Sequence, residues 1–173
     1  MNDMLKLIQS RRSVKKYKSD MPERESIDAV INAGLCAASG KNMQAPVIVA
    51  VTNKELRDKL AAANAAVLGM NSDPFYGAPV ILVVLAKKSI GTYLYDGSLT
   101  MGNMMLAAHS LGLGSCWVHR AREVFELPEW KEFLKSLGIN EELEGIGNLT
   151  LGYLDGEYPA EKPRAEGRVF FAE

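Results

Sequence analysis

The segment Val80-Ile-Leu-Val-Val-Leu-Ala86 is an unbroken run of apolar residues, rich in β-branched side chains. A strand with one face in water alternates apolar and polar side chains, whereas this run has no polar face. It therefore predicts a central strand that is covered on both sides. The run is strand-sized and far shorter than the roughly 20 residues that a membrane-spanning helix needs.

Other helix and strand signals alternate around this run. Further strands are predicted at 47–51, 115–118 and 145–153, with a strand-like tail at 167–173. Helices are predicted from an Asp3 cap, from Pro22 to Ala38, and over 54–68, 93–111, 124–127 and 128–137. The 173 residues suffice for one compact domain and are too few for two ordinary ones. We therefore expect a single domain over 1–173, with one main sheet and helices layered on it.

Composition and charge exclude several classes of protein. Twenty basic and twenty-one acidic residues give a formal charge of -1, which offers no surplus for nucleic acid or a membrane surface. The N-terminal residues lack a long apolar core and a small-residue cleavage site, so we expect no signal peptide and a cytoplasmic protein. Two histidines and the lack of a CxxC pair argue against a metal site. Cys36 and Cys116 lie in apolar surroundings and far apart in the sequence, which favours buried free thiols over the alternative of a disulfide.

A dense basic segment, Ser10-Arg-Arg-Ser-Val-Lys-Lys-Tyr-Lys18, follows the first predicted helix. It has two interpretations. Such a run is commonly a solvated face, but arginine forks and the Ser13 hydroxyl also match the oxygens of a phosphate group. Because Val14 and Tyr17 are out of phase for a strand, we predict an irregular turn.

The stretch Ala37-Ala-Ser-Gly-Lys-Asn-Met-Gln-Ala-Pro46 connects a predicted helix to a predicted strand. Its small residues permit close approach of a backbone or a flat ligand. The amides of Asn42 and Gln44, with Ser39 nearby, offer donors and acceptors without charge and suit the edge of a polar heterocycle. Alternatively, these amides cap the preceding helix and satisfy its free carbonyls.

Three other features suggest contacts beyond a simple core. The helix predicted at 93–111 is apolar around most of its circumference, which requires a central position or a partner chain. Gly102 at its middle suggests close packing. Phe75 and Tyr76 are predicted core residues, with the wall of a pocket as the alternative.

The C-terminal part combines a cationic loop with an apolar tail. Lys162 and Arg164 are two residues apart in a proline-containing loop, so in an extended chain they point the same way. The tail at 165–173 is apolar at its middle and calls for a partner, either its own sheet or another subunit. His119 follows a strand, but no Ser or Cys nucleophile pattern accompanies it, so we assign it no role as a general base.

Four of these segments occur together in one known family. They are Arg-Arg-Ser-Val-Lys at 11–15, Ser-Gly-Lys-Asn-Met-Gln-Ala-Pro at 39–46, Gly-Leu-Gly-Ser-Cys-Trp-Val at 112–118, and the terminal Leu-Gly-Tyr followed by Lys-Pro-Arg at 162–164. In this order the chain resembles the FMN-dependent nitroreductase family over essentially its whole length. The resemblance implies an α+β fold with a central, mostly antiparallel sheet flanked by helices. It also implies a homodimer with two FMN sites at the subunit interface.

The resemblance also implies roles for individual residues. The FMN phosphate would be held by Arg11, Arg12, Ser13, Lys162 and Arg164. Lys15 would lie near the pyrimidine edge of the flavin and stabilise negative charge at N1 and O2. The flavin itself would meet Ser39, Asn42, Gln44 and Asn71, together with the Ser115–Arg120 segment that contains Cys116, Trp117, Val118 and His119.

The activity implied is that of an NADH- or NADPH-dependent flavin oxidoreductase that reduces nitroaromatic or quinone-type acceptors. It would work by ping-pong hydride transfer through flavin N5, with no catalytic acid or base from the chain. The alternatives are a non-catalytic FMN-binding or redox-sensing protein, another FMN reaction such as reductive dehalogenation, and a generic phosphate-binding module. The chain departs from many relatives at Gln44-Ala45-Pro46, at Pro74 and at His119-Arg120.

Overall fold

A computed structural model describes residues 2–173 of the chain. Its centre is one four-stranded sheet in the order β1-β2-β4-β3. The strands are β1 Pro46–Val51, β2 Val80–Lys87, β3 Gly114–Val118 and β4 Leu143–Gly152. All three pairings between these strands are antiparallel.

Helices cover both faces of the sheet. They are α1 Asp3–Ser10, α2 Arg24–Leu35, α3 Lys54–Leu68, α4 Tyr93–Ser110, α5 Ala121–Glu126 and α6 Pro128–Ser136, with a 3-10 turn at Gly40–Asn42. Alternate side chains of β2 enter two cores: Ile81 packs among residues of α3, α5 and α6, and Leu82 among residues of α2 and α4. Every residue from Val80 to Ala86 is fully buried, which confirms the predicted central strand. The α+β class with an antiparallel sheet is confirmed as well.

Several local predictions need correction. Asn2, not Asp3, caps α1, because its side chain accepts a hydrogen bond from the Leu5 N–H at 3.0 Å. Helix α2 begins at Arg24, after Pro22, and ends at Leu35, before Ala38. Cys36, just past that end, is exposed, whereas Cys116 is buried as predicted. Since the helix has ended, its apolar stripe no longer determines where the Cys36 side chain points.

The C-terminal tail forms no strand in the described structure. The side chains of Val169, Phe170 and Phe171 are exposed, the two phenylalanines to 87%. A strand needs a paired neighbour, and the tail has none among the residues that the structure describes. These residues therefore form an unpartnered apolar patch.

Helix α4 is buried on one face and exposes apolar side chains to solvent on the other. Met101 and Met104 are fully buried, whereas Leu94, Tyr95 and Leu99 are 45–72% exposed. The close packing predicted at Gly102 is not found within this structure, since a Cβ added at Gly102 would meet nothing within 4 Å. A Cβ at Gly34 would instead lie 2.6 Å from Met104 Cγ, which explains how α2 packs so closely on α4.

Candidate functional site

The basic segment lies along the edge strand β3 and is anchored by its two apolar residues. Val14 is fully buried, and its backbone N–H donates to the Ser115 carbonyl at 3.0 Å. The Tyr17 hydroxyl donates to the Val14 carbonyl at 2.8 Å and lies 2.7 Å from Thr150 Oγ1. The segment is therefore irregular, as predicted, yet fixed in place. Its polar side chains are left on the outer side of the sheet edge.

Three of the predicted site residues converge beside Cys116, and we call Arg11, Ser13 and Lys15 the cationic cluster. Burial raises the pKa of the Cys116 thiol, while Lys15, Ser13 and Arg11 act on it in the opposite direction. Nη1 of Arg11 is buried and has no hydrogen-bond partner. Within residues 2–173, Arg11 and Lys15 form no ion pair. Because a buried guanidinium N–H without a partner is costly, this cluster is suited to an anionic ligand.

Two neighbouring cations are already neutralised. Arg12 Nη2 lies 3.0 Å from a Glu161 carboxylate oxygen, and its Nη1 donates to the carbonyls of Gln9 and Arg11. Lys16 pairs with Asp155 at 2.7 Å. Arg12 and Lys16 therefore have acidic partners, whereas Arg11 and Lys15 of the cationic cluster have none among residues 2–173.

The segment 155–164, which we call the C-terminal strap, crosses back over this region. The Tyr158 hydroxyl accepts a hydrogen bond from the Arg12 backbone N–H at 2.7 Å, and its ring stacks on His109 at 5.5 Å between centroids. His109 Nδ1 lies 3.1 Å from that hydroxyl, and its Nε2 lies 2.8 Å from Ser10 Oγ. Burial, with Arg11 and Arg12 nearby, lowers the pKa of His109.

The strap also carries the two C-terminal cations. Arg164 lines a groove of about 710 Å³ together with Arg12, Tyr158 and Glu161. Lys162 is exposed two residues earlier, and neither cation forms an ion pair within the described residues. The strap and the basic segment therefore meet at Arg12, which bonds to Tyr158 and pairs with Glu161.

The amides of the loop at 37–46 bond to each other and not to helix α2. Ser39 Oγ accepts from the Gln44 backbone N–H at 3.1 Å, and Gln44 Nε2 donates to Asn42 Oδ1 at 3.3 Å. Lys41, Asn42 and Gln44 all have φ near +50°, a conformation unusual for residues other than glycine. The helix-capping alternative is therefore wrong, and a strained loop presents exposed amides.

Within one chain this loop lies far from the cationic cluster. It precedes β1, at the sheet edge opposite β3. Pro46 is in register with Ala86 and through it with Glu144, whereas Cys116 is in register with Thr150. With about 4.8 Å between strands and about 3.3 Å per residue along them, Pro46 and Cys116 are roughly 25 Å apart. One chain therefore does not bring the two halves of the predicted site together.

The end of β3 is fixed by two buried amides that sequence reasoning missed. The side chains of Asn64 and Asn148, both fully buried, donate to the His119 carbonyl at 3.0 and 3.4 Å. Arg120 follows with φ of 79° and pairs with Glu123. An asparagine inside the alanine-rich helix α3 was the only sequence signal. The His119 ring lies beside Trp117, 5.9 Å between centroids.

The loop 69–77, which contains Asn71 and Tyr76, leads into the first residues of β2. Asn71 is exposed, and Phe75 is fully buried, as predicted. Tyr76, predicted to be a core residue, is 36% exposed, and the Lys15 ammonium lies 5.7 Å from the centroid of its ring. Its φ of +57° turns the side chain away from the core.

Two classes of site have no counterpart in the part of the chain that the structure describes. Residues 2–173 contain no group of three or more His, Cys, Asp or Glu side chains that could hold a metal ion. No helix among them is long and apolar enough to cross a membrane.

An antiparallel sheet between helices, with an unpaired cationic cluster beside its edge strand, defines an α+β protein with a candidate site for an anionic ligand. The family model described as "Nitroreductase family" matches residues 8–68 and 68–153. The chain belongs to the nitroreductase family, as its resemblance predicted.

Solved structures and a named relative agree. An FMN-bound nitroreductase from Desulfitobacterium hafniense is 30% identical, with a TM-score of 0.87 and 100% of both chains covered. One from Bacteroides fragilis, also with bound FMN, is 28% identical, with a TM-score of 0.88 and the same coverage. An "NADPH-flavin oxidoreductase" of Vibrio harveyi is 29% identical over 184 residues, covering 98% of this chain and 72% of the relative.

Proposed function

We propose that the protein is an FMN-dependent NAD(P)H oxidoreductase. The buried Nη1 of Arg11, which has no partner among residues 2–173, is the observation that carries this proposal. A phosphate oxygen would satisfy it with a charge-assisted hydrogen bond. FMN bound to the solved relatives and the flavin oxidoreductase activity in the name of a third support the choice of ligand.

The chain's residues suit the two ends of FMN differently. Arg11 and Ser13 would hold the phosphate, with Lys162 and Arg164 reaching it from the strap. Arg12, already paired with Glu161, would fix the strap and add less to the phosphate. A phosphate held by unpaired cations replaces their water with strong hydrogen bonds.

Lys15 would meet the other end of the ligand. Bound FMN would supply the hydride chemistry at its N5. Lys15 would stabilise negative charge at N1 and O2, and the backbone of Cys116, Trp117, Val118 and His119 would face N5 and O4. Asn71 would contact the ring from the loop 69–77. None of these roles requires a side chain that acts as an acid or base.

We further propose a homodimer in which each flavin site is shared. The separation of roughly 25 Å within one chain supports supply of Ser39, Asn42 and Gln44 by a second copy. The exposed apolar residues of α1, of α4 and of the tail offer surface for that contact. The exposed thiol of Cys36, free in this chain, favours a reducing compartment, and we place the enzyme in the cytoplasm.

Nitroaromatics and quinones are the acceptor classes that we propose, in a ping-pong cycle with NADH or NADPH as the donor. The test is to purify the protein, record its visible spectrum, and add each nicotinamide without oxygen. We expect a flavin spectrum that bleaches on addition of NADH or NADPH. A nitroaromatic or a quinone should then restore the colour.

The alternatives give other outcomes. A colourless protein that does not bind added FMN would leave a phosphate-binding module. A flavin that neither nicotinamide bleaches would favour a redox sensor or another donor. Restoration of colour by a halogenated aromatic, with release of halide, would identify reductive dehalogenation.

A further inference from the structure

Tyr76 is held in a conformation that its residue type disfavours. Its φ is +57°, in the left-handed region where residues other than glycine are uncommon. The side chain is also more than one-third exposed, so burial of the ring does not account for this backbone. Strain of this kind persists only where surrounding contacts determine the structure, and it concentrates at functional sites.

A clasp between Arg57 and Asp73 supplies those contacts. The Asp73 carboxylate accepts hydrogen bonds from the backbone N–H groups of Phe75 at 2.9 Å and Gly77 at 2.8 Å. Arg57 Nη2 donates to the same carboxylate, and its Nε donates to the Ala78 carbonyl at 2.9 Å. Arg57 is itself only 8% exposed. Because the residues on either side of Tyr76 are anchored, the chain has little freedom to relax the strain.

The clasp presents the Tyr76 ring to Lys15. The Lys15 ammonium lies 5.7 Å from the ring centroid, within the range of a cation–π contact. Lys15 is exposed and forms no ion pair with any residue of 2–173. A four-carbon side chain without a partner samples many rotamers, so the ring is the feature that restricts where this charge lies.

We propose that Tyr76 is a positioning residue for Lys15, one that holds the ammonium at the pyrimidine edge of the flavin site. This inference rests on the proposed function, which places Lys15 at that edge. Tyr76 acts through Lys15 and contributes no chemistry of its own. The Arg57–Asp73 clasp keeps the ring in place before the ligand arrives.

The expected consequence is a change in how strongly the site favours reduced over oxidised FMN. Tyr76→Ala frees Lys15, so negative charge at N1 and O2 is less stabilised. The ratio of the two FMN dissociation constants, reduced over oxidised, should rise roughly 2- to 5-fold, the range of an exposed cation–π contact. At about 30 mV per tenfold for a two-electron couple, the midpoint potential becomes about 10–20 mV more negative. Tyr76→Phe keeps the ring and should keep the wild-type potential.

A double-mutant cycle decides whether the effect passes through Lys15. Lys15→Ala should lower the potential by itself, and adding Tyr76→Ala to it should cause no further shift. A shift that persists without Lys15 would overturn the proposal, because the ring would then act on the flavin directly. An unshifted potential in Tyr76→Ala would overturn it as well. Thermal unfolding of each variant checks that the loop variants remain folded.

A second measurement uses the flavin-free protein. The NMR signals of the Lys15 side-chain methylenes should move in Tyr76→Ala, because the ring current is lost, and should stay in place in Tyr76→Phe. Signals that are the same in all three proteins would show that the contact is absent and would overturn the proposal. A wild-type protein that binds no FMN overturns the proposed function together with this inference. Normal FMN binding with an unshifted potential overturns this inference alone.

Discussion

The hydroxyl oxygen of Tyr158 lies 2.7 Å from the backbone nitrogen of Arg12, and this hydrogen bond joins the C-terminal strap to the basic segment. The same hydroxyl can donate to Nδ1 of His109. The Nε2–H of that histidine then donates to Ser10 Oγ. Every donor and acceptor in this series of hydrogen bonds has a partner when His109 is neutral and carries its proton on Nε2. The position of Lys162 and Arg164 therefore depends on a histidine outside the proposed flavin site.

Loss of the strap's arginine should weaken retention of FMN. Arg164→Ala removes a charge-assisted partner of the phosphate, a bond typically worth about 1.5–3 kcal/mol. We expect the FMN dissociation constant, measured by flavin fluorescence, to rise roughly 10- to 100-fold. Arg168→Ala is the matched control, since Arg168 lies just beyond the strap and, among the described residues, its side chain bonds only to the Ala165 carbonyl. Equal affinity in the two variants would show that the clamp is misassigned.

The strap network should make the protein less stable in mild acid. Burial and the neighbouring Arg11 and Arg12 lower the pKa of His109 from its usual 6.5. The His109 imidazole therefore binds a proton more readily in the unfolded chain than in the folded one. The contribution of neutral His109 to the free energy of unfolding is complete above pH 6.5 and is lost as the pH falls below that value. Protonation would also put a second donor against the Tyr158 hydroxyl.

The measurement is the midpoint of urea unfolding between pH 8 and pH 5, for wild type and for His109→Gln. Glutamine keeps a donor and an acceptor but does not titrate in this range. We expect the stability of the wild type to fall more steeply below pH 6.5 than that of the variant. Parallel curves would assign the pH dependence to other groups.

Arg11 should contribute to ligand binding without stabilising the flavin-free fold. Its buried Nη1 has no partner among residues 2–173, so Arg11→Met removes a partly buried charge and leaves an apolar side chain. We expect the melting temperature of the flavin-free variant to equal or exceed that of the wild type. FMN affinity should fall roughly 10- to 100-fold.

The control for this variant is Arg24→Met, which removes an exposed arginine paired with Asp28 on the surface of α2. It should leave FMN affinity unchanged. A flavin-free Arg11→Met protein that is clearly less stable than wild type would mean that Arg11 supports the fold itself.

Much of the candidate site could be predicted because its signals are local in the sequence. Arg11, Ser13 and Lys15 are close neighbours in the chain, and an unbroken apolar run needs no tertiary knowledge to predict β2. The acidic residues that pair with other cations of the basic segment are distant in the sequence. Glu161 neutralises Arg12 from the far end of the chain, and only the fold reveals that pair.

Tyr76 is a second residue whose environment depends on partners that are distant in the sequence. Its aromatic ring next to Phe75 predicts burial, whereas the Asp73 hydrogen bonds give it a left-handed backbone and turn it outward. Propensity and hydrophobicity describe what a residue prefers, and here Arg57, a buried arginine on helix α3, overrides that preference. The amide loop likewise contains the predicted residues but lies too far from the cationic cluster to serve it within one chain.

The apolar tail should support dimer formation without taking part in the phosphate clamp. Phe170 and Phe171 are each 87% exposed in the single chain, and burial of one phenylalanine side chain stabilises by about 1.5–3 kcal/mol. A chain ending at Arg164 keeps every proposed phosphate ligand and loses the tail. We expect sedimentation equilibrium to show a dimer for wild type and a dissociation constant at least roughly 100-fold higher for the shortened chain. The double variant Phe170→Ser with Phe171→Ser should behave in the same way, whereas Arg168→Ser should not. A shortened chain that remains as firmly dimeric as wild type would leave α1 and α4 as the whole interface.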